Sequence, residues 1–437
     1  MSKILILTVG GSHQPIVTAI SSLQPDRVIF ICSSGNRGSE SQVIGEGTPC
    51  EIRRGAEVVD RLPNIPTQVG LSDRFDPNRD LILIENPDNL SECYVKASSG
   101  IQSLQQELPS QIMADYTGGT KSMSVGLAMA ALDHQVKVYL TTANRTNIIK
   151  VDTGELTATA TVTPLVVKRT IEQFFPLVLK QYNYPAAVAE QQRLLQSTEL
   201  LPKTQQRIRD WHACCSGLNA WDRFEHKEAL QLLETQMKRP EIQQRGIFLR
   251  RVISSRGKID KTFDSSSGTK GHDYEIVQDL LLNAERRAMQ ERYDDAVGRL
   301  YRALELLAQI RLLTKHGIKT GDVDIQLLPE SLQEEYEKMR LPMKGKILLG
   351  LRNSYELLSK LPDDPLGQLY KKNANRIINA LEARNNSLFA HGFQPIIDGD
   401  YQKVGGVIVN FIKEGIAAVI PPKSKSQPLQ FPTTLDI

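Results

Sequence analysis

Short apolar runs, each closed by glycine, proline or another turn residue, mark out the first third of the chain. Ile4–Val9, Val28–Cys32, Leu81–Ile84, Ile112–Tyr116 and Val136–Leu140 are apolar at successive positions, as strands covered on both faces must be. Helical spacing occupies Ile16–Leu23, Ser91–Glu107 and Ser122–His134 between them. The alternation predicts an α/β, Rossmann-like parallel sheet over residues 1–165, with any ligand at the carboxyl ends of its strands. Beyond residue 165 the strand pattern fades. Helices are expected near Ile171–Tyr182, Ala186–Gln196, Glu225–Met237, Asp273–Gln290 and Tyr293–Leu313, and again over Gln368–His391. The rest is expected to comprise an all-α helical connector over 166–274, a helical domain over 275–420 and a flexible tail over 421–437. Ser254–Gly271, rich in Gly, Ser and Lys, reads as an exposed loop or linker.

Composition adds bounds. The chain has 437 residues, 40% hydrophobic and 24% charged, which excludes a disordered chain or a disulfide-stapled scaffold. The net charge of +3 is uninformative, but residues 1–165 hold 13 basic against 17 acidic side chains, and the remainder 40 against 33. The basic back half is therefore the expected meeting place for a polyanion. Five cysteines without CxxC spacing or histidine partners read as reduced thiols, and no metal site is expected. No apolar run approaches the ~20 residues of a membrane span, so a cytoplasmic protein without membrane partners is expected.

Two glycine loops sit where phosphate-binding loops sit, at the junction of a strand and a helix. The first is Gly10-Gly11-Ser12-His13-Gln14-Pro15, and the second is Thr117-Gly118-Gly119-Thr120-Lys121-Ser122. Neither matches G-x-G-x-x-G or a Walker A loop, which argues against a dinucleotide-dependent enzyme and against ATP hydrolysis. Two readings stay open from the residues alone: a polar cleft for a phosphodiester ligand, or glycines that merely serve tight turns. The segments TVGGSHQP and DYTGGTKSMS resemble those of the CRISPR-associated Rossmann fold (CARF) sensor domain. The resemblance implies a homodimer that binds a cyclic oligoadenylate through Gly11, Ser12, His13, Thr117, Gly118, Gly119, Thr120 and Lys121. It also raises a secondary ring-nuclease activity in the same domain.

In the back half, Ile377, Leu381, Arg384, Leu388 and His391 fall on one helical stripe. Arg384 and His391 lie two turns apart, and Gly392 comes next as a C-cap candidate. One reading is a helix edge with a snorkelling Arg and a capping His. The other is chemistry: His391 as general acid/base near neutral pH and Arg384 as a phosphate clamp. Arg384–His391 (RNNSLFAH) is similar to the R-x4–6-H motif of the HEPN ribonuclease domain, and Tyr293–Leu313, with Glu305, resembles that domain's first helix. The resemblance implies a metal-independent, dimeric endoribonuclease acting on single-stranded RNA, with Arg384, Asn385 and His391 as catalytic residues. With a CARF sensor on the same chain, the whole resembles an antiviral ancillary effector of type III CRISPR systems. Cyclic oligoadenylate would be its activator, and no cofactor or stable complex partner is implied. A non-enzymatic sensor or nucleic-acid-binding regulator with an inactive HEPN domain is the alternative. His134, His212, His226, His272 and His316 lack ligand spacing and read as surface or capping residues, and Trp211 and Trp221 as packing. The basic cluster Arg245–Arg256 reads as a solvated face.

Overall fold

The computed structural model describes residues 2–35, 38–54, 56–107, 110–143, 155–160, 163–196, 200–343, 345–385, 393–421 and 428–435. The chain separates into two compact units, Met1–Lys168 and Arg169–Ile437.

The first unit is built on strands β1 (Ser2–Thr8), β2 (Arg27–Ser33), β5 (Leu81–Ile84), β6 (Ser110–Asp115), β7 (Lys137–Ala143) and β8 (Glu155–Thr159). Their order is β5-β2-β1-β6-β7-β8. Neighbours run parallel, except that β8 pairs antiparallel with β7. The period-two alternation of β1 and β2 sorts their side chains onto two faces. Ile4, Ile6, Ile29 and Ile31 join one apolar cluster, and Leu5, Leu7, Phe30 and Cys32 join the other. Helices α2 (Leu90–Gln106) and α3 (Lys121–Asp133) supply Ala97, Ile101 and Leu127 to the first cluster. Helix α1 (Gln14–Leu23) supplies Ile16 and Ile20 to the second. The sheet is therefore covered on both faces, as its strand pattern predicts.

Two elements have no counterpart in the sequence pattern. A separate antiparallel hairpin joins β3 (Cys50–Arg54) to β4 (Glu57–Leu62), and β8 adds the antiparallel edge. Neither carries a continuous apolar run, because β4 is exposed along nearly its whole length and β8 reads ELTAT.

The second unit is helical. Its principal helices are α4 (Tyr184–Leu195), α5 (Pro202–Asp222), α6 (His226–Glu234), α7 (Pro240–Ile259), α8 (Glu275–Met289), α9 (Tyr293–His316), α10 (Glu330–Glu337), α11 (Leu351–Lys360), α12 (Pro365–Asn385) and α13 (Asp398–Val419). One continuous hydrophobic cluster takes Trp211, Trp221 and Val252 from 166–274 together with Leu300, Tyr355 and Phe411 from 275–420. The connector segment thus shares one core with the helices of 275–420. Ser254–Gly271, expected to be an exposed loop or linker, is a loop over 260–271 with half of its residues exposed, and differs from expectation in two ways. Its first residues complete α7, and its remainder is packed against that helix. A Cβ on Gly257 would lie 2.3 Å from Ser265 Oγ, and one on Gly268 would lie 2.6 Å from Ser254 N. The small residues there permit close approach, not flexibility.

The chain end differs from expectation as well. Residues 428–435 are anchored: the ring of Phe431 lies 4.9 Å from Trp221, with the Arg286 guanidinium 3.7 Å from its centroid. Arg286 and its neighbour Arg287 are both held by Asp222 at the end of α5. Burial pushes both guanidinium pKa values down to about 10, so both stay charged at neutral pH. Replacing Asp222 by Ala leaves two buried cations without their carboxylate. The expected loss is about 3–5 kcal/mol of stability, read as a lowered midpoint in chemical or thermal unfolding. An unchanged midpoint would show that this pairing does not hold the helical unit.

Candidate functional site

At the carboxyl edge of the sheet, β1 runs into the loop Val9–His13 and β6 runs into Tyr116–Thr120. Because β1 and β6 are parallel neighbours, both loops emerge side by side. They are pressed together. A Cβ on Gly10 would lie 2.6 Å from Gly119 N, and one on Gly118 would lie 2.2 Å from Thr8 O. Thr8 Oγ1 and Ser124 Oγ both donate to the Gly118 carbonyl at 2.7 Å. Gly119 has φ +85°, a conformation that L side chains rarely adopt. Gly10, Gly118 and Gly119 therefore permit the tight turns and the close contact of the two loops. Gly11 differs: it is exposed, and open space surrounds the position of its missing Cβ.

The remaining residues predicted for this site divide by exposure. Ser12 and Lys121 are exposed, whereas Thr117, Gly118, Gly119 and Thr120 are half-buried. Thr120 caps α3, accepting from Met123 N at 3.3 Å, and its hydroxyl also donates to Pro87 O. Lys121 opens the helix, beside its positive end. Thr117 Oγ1 accepts from Thr141 N at 2.7 Å. Beneath it, Asp115 is wholly buried and accepts from Thr117 N at 2.9 Å and Thr141 Oγ1 at 3.2 Å. Burial pushes its carboxyl pKa up. His13 precedes the first turn of α1 and is 4% exposed. Burial holds its imidazole below the usual histidine range, and Nε2 has no hydrogen-bond partner among the described residues.

One participant had no sequence signal. Gln42, in the short helix Ser41–Ile44, donates from Nε2 to the Gly10 carbonyl at 2.6 Å. It lies some thirty residues from the glycines, in a stretch without a motif.

In the helical unit, α12 extends to Asn385, so Arg384 and Asn385 occupy its last turn. Ile377, on the predicted stripe, is fully buried and Leu381 packs against the core. His391, with Leu388 and Gly392, lies outside the described residues. The chain is described again from Phe393, and Ile396 N donates to Asp294 Oδ2 at 3.0 Å, tying the segment after the motif to the first turn of α9. Helix α9 presents an apolar face, with Val297, Leu300, Leu304, Leu307 and Ala308 buried and Tyr301 half-buried. Glu305 pairs with Arg302 at 2.5 Å.

Residues 266–414, which include both α9 and the whole Arg384–His391 segment, match the sequence model of a family described as the Csm6 HEPN domain. This region is similar to the Csm6 HEPN domain. The fold of the whole chain is shared with Enterococcus italicus Csm6, whose structure was determined bound to cyclic hexa-2'-fluoro-hexa-dAMP. The TM-score is 0.55 at 12% identity, covering 96% of this chain and 94% of that one. No curated protein matches the chain in sequence. The resemblance to CARF–HEPN proteins is thereby borne out, as is the succession of a Rossmann-like domain and helices.

One reading within the Csm6 HEPN region and its approach is corrected. His226 is a buried residue, not a surface or capping one. Its Nε2 meets Asp279 Oδ2 at 3.0 Å and its Nδ1 faces Arg256 Nη1 at 3.2 Å. An arginine cannot accept, so Nδ1 accepts, Nε2–H donates to Asp279, and no ring nitrogen is left for catalysis.

The front loops give two expected outcomes. Gly118→Ala is expected to cost about 1–3 kcal/mol or more by overpacking, whereas Gly11→Ala leaves the unfolding midpoint unchanged. Equal effects on the midpoint would contradict the pressed-loop geometry. For His13, the folded-state pKa lies below the unfolded value of about 6.5, so the unfolded chain takes up the proton first. Stability is therefore expected to fall as pH drops through about 6.5 toward the lower folded value, and His13→Gln to flatten that slope.

Proposed function

We propose that the chain is a cyclic-oligoadenylate-activated, metal-independent endoribonuclease that cleaves single-stranded RNA in the cytoplasm as part of antiviral defence. The observation that carries the reading is the Csm6 HEPN match, because its span contains Arg384, Asn385 and His391 within one domain. The likeness to a Csm6 bound to a cyclic hexanucleotide analogue supports the activator.

In this reading His391 exchanges a proton with the ribose 2′-OH or the leaving 5′-oxygen. A histidine can hold or release that proton near neutral pH. The Arg384 guanidinium offers planar donors to the crowded phosphate, and Asn385 orients it. The products are a 2′,3′-cyclic phosphate and a 5′-hydroxyl. Two such domains meet in a homodimer, as the resemblance implies.

Activation begins at the front loops. Lys121, the open backbone at Gly11 and the Ser12 hydroxyl face solvent at the sheet edge and meet the phosphodiesters of the ring. The activator shifts the protein only by as much as it binds the active arrangement better than the resting one. A slow cleavage of the ring by the same loops would limit the response. The alternative, a sensor with an inactive HEPN domain, shares every feature of the front unit and differs only in chemistry.

One assay separates the two readings. Labelled RNA is incubated in EDTA with a panel of cyclic oligoadenylates and with wild-type or His391→Ala protein. Cleavage by the wild type is expected to rise on adding one ring, and to fall at least a hundredfold in the variant, the usual contribution of a general acid/base. Cleavage that survives His391→Ala, or that no ring stimulates, contradicts the proposal.

A further inference from the structure

A cavity of the helical unit, about 560 Å³, has no role in the cleavage chemistry of Arg384 and His391. That volume is ordinary for a small-ligand site. Its floor is apolar, formed by Ile259, Ile276, Leu280 and Leu306, and its rim carries Phe224, Asp294 and Arg302. Three features of the rim are unusual.

Phe224 sits in a left-handed conformation, φ +63°. It comes just after the end of α5, where Phe224 N donates to Trp221 O at 2.9 Å and Glu225 N donates to Ala220 O at 3.0 Å. Those two bonds form the helix-ending motif in which glycine is the usual residue. A bulky residue with positive φ is a true outlier that the surrounding structure must hold in place. Most other non-glycine residues with positive φ in this chain are polar: Gln24, Gln135, Asp273, Glu291 and Asp363. Tyr182, the other aromatic one, has its ring in the core at 5% exposure, whereas Phe224 is half-buried and lines the cavity. Arg256 Nη1 fixes the Phe224 carbonyl at 2.9 Å.

Asp294 is the second feature. Its Oδ2 accepts Ile396 N, but its Oδ1 is buried and has no hydrogen-bond partner among the described residues. The adjacent Asp295 is already paired with Arg292 and Arg299. A buried acceptor without a donor is expensive unless something supplies one. The third is Arg302, exposed at the rim, whose ion pair with Glu305 is a surface pair of little energy and so is easily exchanged for a phosphate.

An aromatic face, a carboxylate oxygen without a donor and an exchangeable guanidinium match the parts of a ribonucleotide: a base plane, an exocyclic amine and a phosphate.

We propose that this cavity is a nucleobase slot for the RNA substrate, which stacks a base on Phe224 and selects an exocyclic amine through Asp294. The inference rests on the ribonuclease reading, because it gives that substrate a specificity site. Cytosine offers the N4 amine where uracil presents the O4 acceptor. Binding of labelled oligocytidylate and oligouridylate to full-length His391→Ala protein tests it, and neither probe mimics the adenylate activator. The background is expected to bind cytidylate about tenfold more tightly. Adding Asp294→Asn keeps an acceptor for Ile396 N and turns an amide donor into the cavity, so the preference should reverse toward uridylate. Adding Phe224→Gly removes the stacking face while relieving the backbone, so both probes should weaken about tenfold with the fold intact.

A cytidylate-to-uridylate ratio that Asp294→Asn leaves unchanged, or probe affinity indifferent to Phe224→Gly, overturns the slot. Failure of the two proposals is distinguishable. Wild-type cleavage with an unmoved ratio sinks the slot alone. A ratio that reverses in a protein without cleavage supports the slot and sinks the ribonuclease.

Discussion

The helical unit is organised around a single carboxylate. Asp222 ends α5 and holds Arg286 at 2.7 Å together with Arg287, while Asn283 donates to its side chain and its backbone carbonyl. Arg299 donates in turn to Asn283 and to Asp295, so the chain of polar contacts runs from the end of α5 across α8 to the first turn of α9. On the far side, Arg286 donates to Gln430 at 2.7 Å and lies over Phe431. Burying two guanidiniums is costly, and their electrostatic return depends on this geometry being kept. The helices of 166–274 are thereby tied to the helices of 275–420 by charge as well as by apolar packing. Phe224 and its cavity lie two residues beyond Asp222, so the strained turn is set on the most constrained part of the unit.

The front unit is constrained by proximity instead. Gly10, Gly118 and Gly119 let two loops from neighbouring parallel strands touch, which places the exposed Gly11, Ser12 and Lys121 at one edge. Glycine in the fingerprint thus has two separable jobs. Three residues make room for the partner loop, and one leaves backbone open to solvent. The mild acidity of residues 1–165 is no obstacle to an anionic ligand at such an edge, because backbone amides, a helix N-terminus and one lysine act over a few ångströms.

Legibility in the sequence depends on how completely each element is buried. β1 and β2 are apolar on both faces and lie where the pattern puts them; β4, with Glu57, Asp60 and Arg61 exposed, carries no such pattern. Composition misleads where small residues serve contact. Gly257 and Gly268 look like linker residues but abut Ser265 and Ser254. The anchoring of Phe431 depends on Trp221 and Arg286, far away in the chain, and a single phenylalanine among prolines and polar residues carries no periodic signal. At the candidate site the glycine loops and the α12 stripe have local motifs. Gln42, Asp294 and Phe224 have none, because each acts through a partner distant in sequence or through a backbone angle.

Part of the basic surplus of the back half serves the fold itself. Arg245 donates to Gln430 O at 2.6 Å, Arg250 pairs with Glu234, Arg256 holds Phe224 O, and Arg311 is paired with buried Asp364. Arg286 and Arg287 are buried with their partners, whereas in the cluster Arg245–Arg256, which reads as a solvated face, Arg251 is exposed and Arg245, Arg250 and Arg256 are half-buried and partnered. Cations neutralised by internal partners contribute little to a long-range field. An RNA would therefore meet the exposed cations of this half, Arg302 among them, and base contacts. Selection through shape and hydrogen bonding becomes more important to such a protein as its general attraction for polyanions becomes smaller.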